Sequence, residues 1–258
     1  MPPTHRSFAG FLSLALGLGS GLPLEGQEPA ASESPAWILQ GDLGLGAFAK
    51  HSHVVGREDG TSLIPFGYAT WGPLFWRVDT LGVETWHFGH GALEVVARID
   101  LENSTNVQSD FSSLFKGENA VPVGLGTFQT FTWGGVFAHV YQDAGASRGQ
   151  LAEVRYAAKV AVSRLALYPQ VAVEWRSAAF NQAYYGVEPG NGQGLPAYGS
   201  GASVSPVLAL AGEWPLTGTW ILNAQLRRKW LAASVADSPR VQRSTVDDGY
   251  LAVSYRFK

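Results

Sequence analysis

Three short patterns in the chain carry residue types that could do chemistry. Gly145-Ala-Ser-Arg-Gly149 has the G-x-S-x-G spacing that, on a strand-to-helix elbow, exposes a nucleophilic serine. Here it links two alternating segments and no helical pattern follows it. Ser147 is therefore expected in a Gly/Ser turn, not as a nucleophile. Gly41-Asp-Leu-Gly-Leu-Gly46 is glycine-rich but lies within an alternating segment and opens no helix. It is expected to leave room beside a narrow interior rather than to cradle a phosphate. His51 and His53 could share one strand face, and His87 and His90 flank a turn. Two imidazoles do not complete a coordination sphere, the chain has no Cys, and only Glu58 and Asp59 lie further along the first loop. No catalytic group, cofactor site or metal site is expected.

The charges inside apolar segments are more informative. In Leu151–Ser163, Ala152, Val154, Tyr156, Ala158, Val160 and Val162 alternate with Glu153, Arg155, Lys159 and Ser163. The next segment sets Leu165, Leu167, Val171, Val173 and Trp175 against Tyr168, Gln170, Glu174 and Arg176. Further on, Arg227 and Lys229 share a face, and Leu251, Val253, Tyr255 and Phe257 oppose Tyr250, Ser254 and Arg256. A period of two means strands with two unlike faces. If the apolar face meets lipid, each charge turned that way would cost about 2–4 kcal/mol near the midplane. Glu153, Arg155, Lys159, Glu174, Arg176, Arg227 and Lys229 are therefore expected in a lumen, as a cross-strand ionic network that fills it. Arg228 falls on the lipid face and is expected near the outer interface, where that penalty fades.

The elements that must position these residues follow from composition. The chain has 258 residues, net charge -3, nine Trp, 31 Gly and only 15% charged residues, against about 25% in an average soluble domain. No internal run reaches the ~18 uncharged apolar residues of a spanning helix. The remaining way to cross a bilayer is a closed β-barrel, because every backbone N–H must be paired. Strands are expected near 37–49, 62–70, 74–79, 82–88, 91–100, 121–131, 133–143, 149–162, 165–176, 198–214, 219–232 and 246–257. The short links fall around Gly72, Gly89–His90, Thr132, Arg164 and Pro215–Gly218, and the long ones at 50–61, 101–120, 177–197 and 233–245. The link at 144–148 is intermediate, and that near Thr80–Leu81 is short where the alternation asks for a long one. Short turns belong on the periplasmic side and long loops outside. The fold class is thus all-β, a single antiparallel transmembrane barrel of about 12 strands, with 10 as the alternative. Trp37, Trp71, Trp133, Trp214 and Trp220 all fall at short-turn ends, as an interfacial aromatic girdle does. The near-neutral charge balance gives no footprint for nucleic acid.

Arg6 followed by the apolar run Ser7–Leu24, then Glu25 and a Pro/Ala/Ser-rich stretch, has the layout of a secretory signal peptide. The expected organisation is a leader over 1–26 with cleavage between 26 and 31, a short periplasmic segment 27–36, and the barrel over 37–258. The long loops carry Tyr184, Tyr185, Asp237 and Arg240, candidate interaction residues where exposed Tyr and Arg suit binding.

Several stretches resemble the MipA/OmpV family of outer-membrane proteins: Phe180–Pro189 (FNQAYYGVEP), Gly194–Gly201 (GLPAYGSG), Leu216–Trp220 (LTGTW), Ala236–Val241 (ADSPRV) and the terminal Tyr255–Phe257. Leu63–Trp76 (LIPFGYATWGPLFW) resembles that family's Pro-containing segment, while Lys258 and the region 101–130 depart from the family. The resemblance implies a non-enzymatic barrel in the outer membrane that interacts with the lipid bilayer. It also implies a scaffold for peptidoglycan (murein) synthase and lytic transglycosylase. A small-solute pore or an adhesin stands as the alternative, and an outer-membrane acyl hydrolase as a weaker one.

Overall fold

The computed structural model describes residues 37–100, 102, 120–190 and 194–257. The expected leader and the segment 27–36, Lys258 and nearly all of 101–120 lie outside the described residues. The described residues form thirteen strands and two short helices: β1 (Leu39–Lys50), β2 (Gly60–Trp71), β3 (Leu74–Arg77), β4 (Thr80–Phe88), β5 (Gly91–Arg98), β6 (Pro122–Phe131), β7 (Gly134–Asp143), β8 (Gln150–Ala158), β9 (Val160–Val162), β10 (Leu165–Arg176), α1 (Ala178–Tyr185), β11 (Ser203–Pro215), β12 (Trp220–Trp230), α2 (Ala233–Ala236) and β13 (Thr245–Phe257). Each strand pairs antiparallel with its neighbours in sequence, except β8 and β9, which both pair with β10. β1 closes the cylinder on β13, from Gly41↔Phe257 to Lys50↔Asp248.

The cylinder has twelve staves, because β8 and β9 are two pieces of one. Both pair with β10, and the register Gln170↔Ala157 continues without a slip into Leu167↔Val160. The interruption faces Pro169, which has no N–H to give the ladder. The expected unbroken strand over 149–162 is corrected to this pair. β11 begins at Ser203, not near 198, since Tyr198 pairs with Val187 across the loop instead. The long links 177–197 and 233–245 hold α1 and α2. Ser177 explains α1: its Oγ accepts the Phe180 N–H at 3.3 Å, the usual N-cap arrangement.

Apart from the two-residue link Val78–Asp79, which joins β3 to β4 at the other end of β3, short turns occupy one end of the barrel. Gly72 and Gly89 adopt φ of 58° and 59° there, the left-handed conformation that two-residue hairpins require. Along the staves, side chains sort by parity. Leu208 and Leu210 on β11, or Leu251 and Val253 on β13, point outward, and Ala211, Ala252 and Ser254 are buried inside. Trp37, Trp71, Trp133, Trp214 and Trp220 are all exposed at the short-turn end, joined by Trp86, which the sequence reading missed. Trp175 and Trp230 mark the opposite end of the same outer face. Arg228 lies outside beside Trp230 and bonds both Asp247 oxygens at 2.5 and 2.9 Å.

One part of the wall is low. β3 pairs only with Tyr68–Trp71 of β2, so the half of β2 from Gly60 to Pro65 has no ladder on that side among the described strands. Gly67 turns its carbonyl to that side, accepting from Val78 at 2.7 Å. Pro65, two residues earlier, points the same way and brings no donor to be left unpaired.

If the outward rows meet lipid, Leu210→Arg, near the middle of β11, should destabilise the folded barrel by about 2–4 kcal/mol, and Val204→Arg at its outer end by about 0–1 kcal/mol. Reversible urea unfolding in liposomes checks both; equal penalties would contradict the assigned lipid face.

Candidate functional site

The lumen is where the chain gathers its chemistry. Charge on the inward rows is arranged in three groups. Nearest the long loops, Arg176 reaches Glu174 at 2.7 Å and Glu102 at 3.2 Å. Lys229 bonds Glu174 at 2.9 Å and also Glu102. Arg227 holds Asp248 at 2.6 Å and approaches Glu102 at 3.5 Å. Lys229 and Glu174 are each only 1% exposed, so neither has water to fall back on. Midway along the barrel, Glu153 takes Arg155 at 2.9 Å and Arg98 at 3.3 Å, Arg98 also binds Asp79, and Arg77 and His139 converge on Glu94 at 2.7 and 3.0 Å. Towards the short turns, Arg256 bonds Asp42 at 2.6 Å and also Glu213. Isolated buried charges would be prohibitive; here each charge in these groups meets an opposite one.

Six of the seven lumen residues expected from sequence, namely Glu153, Arg155, Glu174, Arg176, Arg227 and Lys229, lie in these groups. The seventh, Lys159, sits at the interruption between β8 and β9, where its N–H bonds the Trp133 carbonyl at 3.1 Å and its charge acts on Glu213 of the short-turn group. Sequence reasoning missed Arg77, Glu94, Arg98 and Glu102. Glu94 and Arg98 had a usable signal, since Ala92, Glu94, Val96 and Arg98 alternate with Leu93, Val95 and Ala97 on β5. Glu102 had none. It belongs to a loop, yet it is 8% exposed and bonds a lysine 127 residues away. Burial pushes its carboxyl up, but Arg176, Lys229 and Arg227 outweigh that and hold it well below the usual carboxylate range.

Above the first ionic group, three loops form a lid. The loop 51–59 bridges the loop 231–244 through Val54↔Val241, with Val55 N–H on the Arg240 carbonyl at 2.7 Å. Ser238 Oγ donates to the Tyr185 carbonyl at 2.6 Å, and Ser200 Oγ to the Ser234 carbonyl at 2.7 Å. Asn181 anchors α1 to the barrel rim through Gly201 and Ser203, and Arg176 lies under the Phe180 ring at 4.9 Å. Tyr185, expected as an exposed loop residue, is corrected: it is 1% exposed and its hydroxyl meets His53 Nε2 at 3.0 Å. Tyr184 is half-buried against Phe180, Arg240 is half-buried, and Asp237 remains exposed as the C-cap of α2.

The other candidate motifs come apart. His51 is exposed and pairs with Asp59 at 2.7 Å, whereas His53 turns inward, so they do not share a face. Among the described residues no group of three or more potential metal ligands occurs. Ser147 Oγ donates to Asp143 at 2.5 Å, and the same carboxylate accepts the N–H groups of Val121, Gly145 and Ser147. The serine closes a turn, as its place between two strands suggested. Gly44 lies on the inward row of β1, where a Cβ would come within 2.0 Å of the Val253 carbonyl.

Comparison with known proteins places this arrangement. A family model described as MltA-interacting protein MipA matches residues 43–257. Two curated relatives, both described as MltA-interacting protein, come from Escherichia coli (strain K12) and Shigella flexneri. Each is 32% identical over 95 residues, which is 36% of this chain and 38% of the relative. The matched stretch thus spans less than two fifths of the length of those relatives. Among solved structures, a bacterial polysaccharide outer membrane secretin aligns with TM-score 0.38 and 11% identity over 86% of this chain and 99% of that one. The outer membrane channel DcaP of Acinetobacter baumannii aligns with TM-score 0.36 and 8% identity over 85% and 96%.

Two outcomes test this geometry. Removing one member of the first ionic group by Glu174→Leu should destabilise the barrel by about 3–5 kcal/mol, while Glu174→Leu with Lys229→Leu should recover part of that loss; a double-mutant cycle in urea measures both. His53 provides the second. Burial pushes its imidazole down from 6.5 to about 4, against the pull of Glu102. Below pH 6.5 the unfolded chain takes a proton that the folded lid refuses. Stability is thus full above that pH and falls, by on the order of 3 kcal/mol, as pH drops towards 4. Unfolding midpoints of the native chain should follow this fall, and those of His53→Gln should lack it.

Proposed function

The chain belongs to the MipA family, and from that premise we propose that it is a bacterial outer-membrane barrel that holds partner proteins and neither catalyses a reaction nor passes solutes. The partners are the peptidoglycan-synthesising enzyme and the lytic transglycosylase of the cell wall, reached from the periplasmic side. The name of the curated relatives, MltA-interacting protein, supports an interacting role. The carrying observation from the molecule itself is the lumen: its charges bind one another in buried groups beneath a lid that buries Phe180, Tyr185 and Val235. A conducting path would need those groups hydrated instead. The absence of a hydrolytic role is supported by Ser147, whose hydroxyl and N–H are both committed to Asp143.

Cross-linking in envelope fractions followed by capture of this chain should recover a murein synthase or a lytic transglycosylase; recovery of neither would remove the scaffold reading. The purified barrel in planar bilayers should give no steady conductance steps, and a stable open level at neutral pH would favour a pore.

A further inference from the structure

Between its ionic groups the lumen holds a partly open cavity of about 160 Å³. An engineered apolar cavity of about 150 Å³ takes one benzene, so this space admits a single six-membered ring. Small residues make the room: Gly135 on β7 and Ala157 on β8 line it where longer side chains would fill it. On the same wall stand Gln170, level with Ala157, and Gln225 of β12.

The polar groups on the cavity wall fall into two kinds. Its cations are engaged with carboxylates: Arg77 with Glu94, Arg98 with Asp79, Arg155 with Glu153 and Arg227 with Asp248, at 2.6 to 3.0 Å. A charged solute must break such a pair to bind. Two neutral amides have bonding capacity to spare. The Gln225 side chain makes no hydrogen bond among the described residues, and that of Gln170 uses only its Oε1, accepting from Arg155 at 3.3 Å. The Nε of Arg227 is also buried without a partner there. Between these donors and acceptors the wall is aromatic, with Phe137 stacked on Phe128 at 4.1 Å and Tyr168 and Tyr250 nearby. Ring faces of this kind suit the C–H face of a saturated ring.

We propose that the cavity binds a neutral, polyhydroxylated six-membered ring, a hexose-sized glycosyl group, with Gln170 and Gln225 taking its hydroxyls and the aromatic wall its apolar face. The group is either a free sugar or the head of a glycosylated amphiphile. Both sources are open to test, and the cavity lining includes Val78–Thr80 at the β3–β4 turn. This site does not rest on the scaffold reading and can stand or fall apart from it.

Isothermal titration of the full barrel in lipid nanodiscs, with empty discs as reference, tests it. The probes are methyl and hexyl glycosides of glucose, galactose and mannose, with glucuronate and glucosamine as charged counterparts of the same size. At least one neutral methyl glycoside should bind saturably, and both charged sugars at least tenfold more weakly. Gln170→Leu with Gln225→Leu should weaken binding at least tenfold, and Ala157→Phe, on the cavity wall, should abolish it. Heat-modifiable migration on gels confirms that each variant is folded; Ala157→Leu replaces Ala157→Phe if that barrel does not form. A hexyl glycoside binding at least tenfold more tightly than its methyl partner assigns the site to an amphiphile, and equal affinity assigns it to a free sugar. No binding by any neutral glycoside, equal binding of the charged sugars, or full binding by the folded Ala157 variant overturns the proposal.

Discussion

A backbone in hydrocarbon has no water to bond, and that constraint organises this molecule. It calls for a ladder that closes on itself, which β1 and β13 provide over ten paired residues. Closure then fixes the parity of each stave, and parity leaves a charge two choices, outside or lumen. Arg228 and Asp247 are outside because they sit beside Trp230 at the outer end, where headgroups and water begin. Charges lower on the staves turn inward. The prolines obey the same rule: Pro169 stands where the β8–β9 stave is interrupted, and Pro65 where β2, paired with β1 on one side, has no ladder on the other among the described strands. Each removes a donor from a place that could not have satisfied it.

The lumen is consequently a core made of ions instead of hydrocarbon. Such a core has different mechanics from an apolar one. Replacing a leucine leaves a cavity, but removing one carboxylate leaves cations without their counter-charge, which is the more severe loss. Glu102 shows how far this coupling reaches. It enters from a loop, meets Arg176, Arg227 and Lys229 from two strands, and lies within the field of His53 above it. Lid and lumen are thereby one electrostatic unit. His53 stays neutral within it because burial and the neighbouring cations outweigh Glu102.

The fold was largely legible in the sequence because lipid makes side-chain alternation strict. Leu251, Val253 and Tyr255 against Tyr250, Ala252 and Ser254 could be sorted without coordinates, and the stave count followed from alternating link lengths. Trp86 escaped because an irregularity between Glu84 and His87 disturbs the alternation just where it lies. The site was less legible. Period-two reasoning finds residues on strands, so it recovered Glu174 and Lys229 but had no means to bring Glu102 or His53 into the lumen. Tyr185 and His53 are 132 residues apart, and nothing local to either announces their contact. Tyr185 was read as exposed because tyrosines in polar loops usually are. Its burial depends on Ser177 capping a helix that the loop composition did not suggest.

The distribution of neutral residues within this ionic core completes the account. If the lumen served only to fill the barrel, the inward rows of β7 and β8 would be the natural place for long side chains between the ion groups. At Gly135 and Ala157 they carry small residues instead, on a wall shared with two glutamines that take little part in the network. Packing alone disfavours that choice, because small residues beside a void forfeit contacts. A void bordered by unspent amides is also costly unless water or a polar guest occupies it. The paired cations around it exclude charge, and the aromatic wall rewards a ring. Empty room, neutral hydrogen-bonding groups and ring faces thus converge on one stretch of the barrel, while every surrounding charge is already bound to another side chain.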